Sequence, residues 1–244
     1  MLFFYHRATG AFFMSSFRQV VTGLLLVQLV FVGSLQASEV DSLEPVNRKI
    51  FAFNEFLDRW LVKPVATAYQ WSTPSIVDQG VSNIFYNIAE IRNGVNSLLQ
   101  DDLSNSGKSS ARFLVNTTVG LLGFFDVASH WNLESEKEDF GQTLAVWGVA
   151  DGPYIVLPVL GGRNLRDALA FAPDVYLSPM QEVDHVATRN VARAIDLIDT
   201  RADLIDAEQL VSGDRYGFLR DIYLQRRASA IANGELDDDF DEDF

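Results

Sequence analysis

The chain has 244 residues, 48% of them hydrophobic, with 18 phenylalanines and no cysteine. The missing thiols exclude disulfides and thiolate metal sites, so stability must come from a packed apolar core, a membrane, or both. The net charge of −14 is unevenly placed: Glu235 to Phe244 holds seven acids and no base, and the remaining body, Ser38 to Gly234, has 26 acids against 17 bases. A mildly acidic body does not suit nucleic acid, whose affinity rests on cations meeting phosphates.

In chain order, residues 1–37 read as an export signal. Arg18 supplies positive charge, Val20 to Gly33 an apolar run, and small and polar residues lead to Ala37. The run is shorter than the roughly 20 apolar residues of a membrane-spanning helix. Met14 would begin a conventional signal by itself. Leu35 to Ser38 (LQAS) has the form of a bacterial lipobox with serine at the cysteine position. A serine hydroxyl cannot form the thioether that carries the lipid.

One domain of about 200 residues is expected over 38–234. Glu44 to Tyr69 has Val46, Ile50, Phe53, Leu57 and Leu61 at helical spacing. Pro45 fits a first turn, and Pro64 should end or kink the helix. Phe51 and Phe56 lie off that stripe, so the helix is apolar on several faces, as in buried or membrane-facing helices. Gly80 to Leu99 repeats the pattern with Val81, Ile84, Phe85, Ile88, Ile91, Val95 and Leu98. Asp101 to Gly107 reads as a polar break, Ser109 to Val119 as helix, and Gly120 to Asp126 as a very apolar stretch with two glycines. Gly141 to Pro158 lacks helical period, and Gly148, Gly152, Pro153 and Pro158 suggest a loop or short hairpin carrying Trp147, Tyr154 and Ile155. Asn164 to Ala172 reads as a short helix, punctuated afterwards by Pro173 and Pro179. Glu182 to Leu210 and Asp214 to Ala232 complete a mostly α chain, with Gly234 as a stop signal. The acidic end, 235–244, reads as a disordered solvating segment or a docking tail.

No catalytic pattern emerges. His6, His130 and His185 lack metal-ligand spacing, and there is no nucleophile elbow or glycine-rich nucleotide loop. Gly161 to Asp167 (GGRNLRD) permits two readings. Glycines before a helix start, with Arg163 and Arg166 nearby, could hold an anion such as a phospholipid headgroup. Alternatively Asn164 caps the helix and Arg166 pairs with an acid.

Several stretches, in order, carry a resemblance. They are Leu43 to Arg48 (LEPVNR) with Phe51, Phe53 and Asn54, then Lys63 to Ala66 (KPVA), Arg112 to Gly120 (RFLVNTTVG) and Gly123 to Ala128 (GFFDVA). Glu138 to Thr143 (EDFGQT), Trp147 to Val149, Gly152 to Tyr154, Leu157-Pro158 and Arg166-Asp167 follow. Together they resemble the MlaA (VacJ) family of outer-membrane lipid-asymmetry proteins. The resemblance implies a mostly helical, ring-shaped single domain embedded in the inner leaflet of the Gram-negative outer membrane. Mislocalised phospholipid would leave the outer leaflet through its channel for retrograde transport to the inner membrane. It implies no enzyme activity and no cofactor or metal. The implied partners are phospholipids, an outer-membrane porin trimer and the soluble periplasmic carrier MlaC, and the implied location is the periplasmic face of that membrane.

For lipid passage, the loop residues Gly148, Gly152, Pro153, Tyr154 and Pro158 with Arg163 and Arg166 are the candidates. The family motifs assign structural roles to Asn47, Arg48, Asn54, Pro64, Asn116, Gly120, Asp126, Phe140, Gly141 and Asp167. Three positions depart from the family pattern: Ser38 at the lipidated cysteine, Ala150 at the middle glycine of a Gly-Val-Gly-x-Gly-Pro loop, and Gly162-Arg163 at a Pro-Ser pair. A soluble periplasmic lipid carrier is the alternative favoured by Ser38; a phospholipase would need a nucleophile and base that the sequence does not offer.

The acidic end generates one prediction. Seven carboxylates in ten residues repel one another too strongly to pack. Truncation after Gly234 should therefore leave the thermal melting point nearly unchanged; a large drop would show the tail docked on the body.

Overall fold

A computed structural model describes residues 41–211 and 213–233. The expected export signal, Ser38 and the acidic end lie outside the described residues. The first helix, α1 (Glu44–Leu57), places Pro45 in its first turn, where a missing N–H costs nothing. Pro64 does not end it. The chain passes through a π-helical turn, Asp58–Val62, directly into α2 (Lys63–Ser72), and the Lys63 N–H bonds the Asp58 carbonyl five residues back. A proline can neither donate to, nor fit beside, the carbonyl four residues back; widening one turn re-registers the ladder around it.

The next helix, α3 (Ser75–Leu99), starts five residues before the expected Gly80, after an extended Pro74. The expected polar break at 101–107 is also shorter. Asp102 accepts the Asn105 N–H at 2.9 Å and caps α4 (Leu103–Thr118). The polar residues there do not mark a loop, because Asn105 and Ser109 are buried. The apolar stretch 120–126 is a series of tight turns in which Leu121 and Leu122 take left-handed backbone angles. A single-turn helix, α5 (Val127–His130), follows.

The region expected as a loop from Gly141 begins instead as α6 (Phe140–Val146), because Asp139 caps it through the Gln142 N–H at 2.9 Å. A hairpin is present but lies later than the expected 141–158: β1 (Tyr154–Leu157) pairs antiparallel with β2 (Gly161–Asn164), with Tyr154 opposite Asn164, and Trp147 ends α6 instead of lying on the hairpin. α7 (Leu165–Leu177) runs through Pro173, which was expected beyond its end. The hydrogen bond this forfeits would have gone to Leu169, itself half exposed. A 3-10 turn, Pro179–Glu182, precedes α8 (Val186–Asp203). The single helix expected over 182–210 is thus trimmed at both ends: His185 caps α8 through the Thr188 N–H, and a separate 3-10 turn, Ala207–Leu210, follows it. The last helix is α9 (Arg215–Ile231). All described residues belong to one compact unit, mostly α as expected.

Packing is inverted relative to a water-soluble domain. Among the described residues, sixteen polar or charged side chains are buried against eight hydrophobic ones, and four of those eight are alanines. Large apolar side chains lie outside: Trp71 is 90% exposed, Leu122 73%, Trp60 71% and Leu121 65%. In water such a distribution would forfeit the main driving force of folding. A buried aromatic cluster joins the hairpin to α9 and α1: Tyr154, Val156 and Tyr216 pack with Ile50, Phe51 and Tyr223.

Asn47 fixes that junction. Its amide donates to the Tyr154 carbonyl at 2.9 Å, and its carbonyl oxygen accepts the Val156 N–H at 2.9 Å. Asn54, two turns along α1, grips the far end through the Leu157 carbonyl (2.9 Å) and the Val159 N–H (2.8 Å). Asn47→Ala would orphan two buried backbone groups, at a cost of about 2–4 kcal/mol. Denaturant unfolding of the purified variant should show that loss, with Asn54→Ala costing less because its site is more open. Equal stabilities for wild type and Asn47→Ala would refute the role.

Candidate functional site

The interior is built from one face of α3. Gly80, Asn87, Glu90, Asn93, Gly94, Asn96 and Ser97 are buried, whereas of the apolar stripe Ile84, Ile88 and Ile91 are half-buried and Leu98 is exposed. The buried face holds an extended segment, 133–139, that has no helix or strand partner. Ser135 Oγ donates to both Glu90 oxygens at 3.0 Å, the Glu136 N–H donates to Asn105 Oδ1 at 2.7 Å, and the Glu138 N–H donates to Asn93 Oδ1 at 3.3 Å. Arg112 donates to the Leu133 carbonyl, pairs with Glu90 at 2.6 Å and reaches Asp126 at 3.1 Å. Asp126 also caps α5 and receives Asn116 at 2.9 Å. Burial would raise its pKa, but hydrogen bonds from Ser129, Asn116 and Arg112 hold it below the ordinary carboxylate range.

A second network ties α6, α7 and α9 together. Arg227 bonds both oxygens of Asp139 at 2.6 and 2.7 Å and also pairs with Asp167. Asp167 receives the Tyr223 hydroxyl at 2.5 Å and Arg166 at 3.1 Å. Gly141 sits against this group: a Cβ there would lie 2.3 Å from Arg227 and 2.5 Å from Asp167, so the position admits no side chain. Despite burial, Asp139 stays below the ordinary range because Arg227 holds its charged form.

These networks account for most of the family-motif residues. Asn47, Asn54, Asn116, Asp126, Gly141 and Asp167 are joints between elements. Arg48 pairs with Glu44 and Asp214 and lies over the Tyr216 ring at 4.4 Å. Gly120 lies in the turn after α4, accepting the Phe125 N–H at 2.9 Å, and Phe140 packs edge-on to Trp147. Of the expected passage residues, Gly148 and Gly152 do take left-handed angles, φ 85° and 68°. Tyr154 is buried in the aromatic cluster, Pro153 precedes it, and Pro158 is exposed at the hairpin bend.

The anion reading of residues 161–167 is not supported. The glycines lie in β2, Asn164 caps α7 through the Asp167 N–H at 2.8 Å, and Arg166 is neutralised by Asp151 and Asp167. Arg163 donates to the Leu160 carbonyl and covers the Phe171 ring. Other cations line a cleft. An open cleft of about 400 Å³ is bounded by Arg92 of α3, Lys137 to Asp139, Gln142, and the α9 face carrying Leu219, Ile222, Tyr223, Arg226, Arg227 and Ala230.

Residues 39–230 match the family model described as MlaA lipoprotein. The chain belongs to the MlaA lipoprotein family. The Escherichia coli intermembrane phospholipid transport system lipoprotein MlaA is 34% identical over 219 residues, covering 87% of this chain and 86% of that relative. An uncharacterized Rickettsia typhi protein is 44% identical over 127 residues, and the chain spans about half the length of this and the other first Rickettsia relatives it matches. A solved structure described as "Structural basis for maintenance of bacterial outer membrane lipid asymmetry" superposes with a TM-score of 0.70 at 34% identity, covering 79% of this chain and all of that one. Among the described residues, no helix of this MlaA-family chain is long and apolar enough to cross a membrane.

Sequence reasoning did not single out Glu90, Asn93, Asn105, Arg92 or Arg227. A signal existed for the α3 residues: Asn83, Asn87, Glu90, Asn93 and Ser97 recur at intervals of three and four, one helix face. Arg227 has no such local signal, because its partners lie 60 and 88 positions away.

The polar interior carries a pH signature. Burial pushes Asp174 from 3.8 up to about 6, against the Phe140 N–H, Arg92 and Asn96, which favour its charge, and with Asp139, which opposes it. The folded state thus holds this proton more tightly than the unfolded chain. Its penalty is absent below about pH 4, grows as pH rises towards 6, and is constant above that. Asp174→Asn should stabilise the protein above pH 6 by about 1–3 kcal/mol and change little near pH 4. Unfolding midpoints measured from pH 4 to 8 that fall in parallel for both proteins would exclude the effect.

Proposed function

We propose that this chain is a non-enzymatic phospholipid passage protein of the Gram-negative outer membrane. It takes mislocalised phospholipid from the outer leaflet for retrograde transport to the inner membrane. The observation that carries this reading is the inversion: a hydrogen-bonded polar interior inside an apolar shell. Lipid demands that arrangement, because irregular backbone at membrane depth must be satisfied within the protein or line a cavity. The family relatives support it, since the E. coli member is named for intermembrane phospholipid transport. On this reading the chain sits as a helical ring in the inner leaflet, at the periplasmic face, beside a porin trimer, and hands lipid to the soluble carrier MlaC. The segment 147–153 borders the passage: it is irregular, carries Gly148 and Gly152 in left-handed angles, and precedes a hairpin that Asn47 and Asn54 hold still.

Ser38 does not oppose membrane residence. Each large apolar side chain buried in lipid contributes roughly 1.5–3 kcal/mol, and Phe56, Trp60, Leu61, Trp71, Leu121 and Leu122 are all more than half exposed. Mature protein beginning at Ser38 should therefore sediment with outer membranes, resist a high-salt wash, and clear phospholipid from the outer leaflet of a strain lacking its own MlaA. Recovery in the soluble periplasmic fraction would replace this reading with that of a soluble lipid carrier.

A further inference from the structure

The cleft between α3, the 137–142 segment and α9 has an unusual charge arrangement. Its acids are already occupied. Glu138 is buried and receives Gln100 and Gln142 at 2.7 and 2.8 Å, and Asp139 is held by Arg227. Three of its cations are not. Among the described residues, Arg92, Lys137 and Arg226 make no salt bridge and donate no side-chain hydrogen bond, and Arg92 Nε is buried without a partner. Arg92 lies within the field of Asp139, Asp174 and Asp196, but is hydrogen-bonded to none of them. Lys137 leans over the Tyr86 ring at 4.4 Å. The α9 wall is mixed by helical spacing: Leu219, Ile222 and Ala230 supply apolar surface beside Arg226 and Arg227.

Free cations facing an apolar wall suit an amphipathic anion. A guanidinium offers a planar pair of donors that matches two phosphate oxygens, and an ammonium adds point charge. The cleft volume admits a headgroup with its glycerol. We propose that this cleft binds the phosphate of a phospholipid headgroup through Arg92, Lys137 and Arg226, with Leu219 and Ile222 against the glycerol and first methylenes. The assignment rests on the phospholipid-transport reading and locates a headgroup station within it. Of the cations that the sequence suggested for this task, Arg166 is paired with Asp151 and Asp167, and Arg163 lies over the Phe171 ring and does not line this cleft.

The test uses the full chain purified in a non-ionic detergent and titrated calorimetrically with dihexanoyl-phosphatidylglycerol, glycerol 3-phosphate and inorganic phosphate. Wild type should bind the short-chain lipid at least about tenfold more tightly than either tailless phosphate, since only the lipid brings acyl methylenes to the apolar wall. R92Q/R226Q should weaken lipid binding at least about tenfold, from two lost charge-assisted contacts. R226K should retain most of the affinity, and K108Q, on the exposed side of α4, all of it. Melting curves check folding; should R92Q unfold the protein, the exposed R226Q alone carries the test, with a smaller loss expected. Unchanged affinity in a folded R226Q and double variant would overturn the site and leave the transport reading standing. Equal affinity for inorganic phosphate would make it a free-phosphate site and overturn the lipid assignment. No lipid binding by wild type would overturn the transport reading and the station with it.

Discussion

A backbone placed in lipid must satisfy its own hydrogen bonds, and in this protein asparagine side chains satisfy irregular backbone at several joints. An asparagine has both a donor and an acceptor on one short arm, so it can replace a missing backbone partner in both senses. Asn47 and Asn54 each make that double contact with the hairpin, Asn105 makes it with Glu136, and Asn116 links Asp126 to the Ala128 N–H. The extended segment 133–139 exists only because α3 and α4 supply such groups. An unsatisfied buried group costs about 1–3 kcal/mol. Losing several together would cancel the marginal stability of a domain.

The charged joints follow from the same constraint. Arg112 and Arg227 are nearly buried, and each is matched by two carboxylates. A buried pair is expensive to form and more expensive to halve, so these joints enforce one arrangement of α3 to α7 and α9 more than they add net stability. Asp174 shows the limit of compensation. Among the described residues it has hydrogen bonds but no ion-paired cation, so burial raises its proton affinity.

Element type was largely legible in the sequence, because helical spacing of apolar residues survives whichever side faces out. α1, α3 and α9 lie close to where periodicity put them, whereas the hairpin takes only its first strand from the expected 141–158 segment. The polar run at 101–107 was read as a break because polarity usually marks solvent; here it marks the interior, and Asp102 is a helix cap. For the same reason the apolar stripe of α3 drew attention away from its asparagines. The start of α6 was read as loop for a different reason: the glycines and prolines of 148–158 interrupt periodicity, and the seven-residue helix capped by Asp139 is too short to show one. Pro64 and Pro173 misled differently: a π turn and a single forfeited bond let helices pass through them. Asn47, Asn54, Gly141 and Asp167, which the family motifs marked, lie at joints between elements. The cleft cations were not legible, since Arg92, Lys137 and Arg226 come from three distant segments.

The central claim is that the apolar outer surface is a lipid surface. A chain without cysteine allows single spin labels to be placed at will. Labels at Trp71→Cys and Leu122→Cys, with Asp221→Cys as an exposed polar control, can be compared in bilayers for collision with oxygen, which partitions into lipid, and with a water-soluble nickel chelate. The account predicts that oxygen dominates at 71 and 122 and the chelate at 221. Dominance of the chelate at 71 and 122 in membrane-bound protein would mean that the apolar shell faces water, and would contradict it.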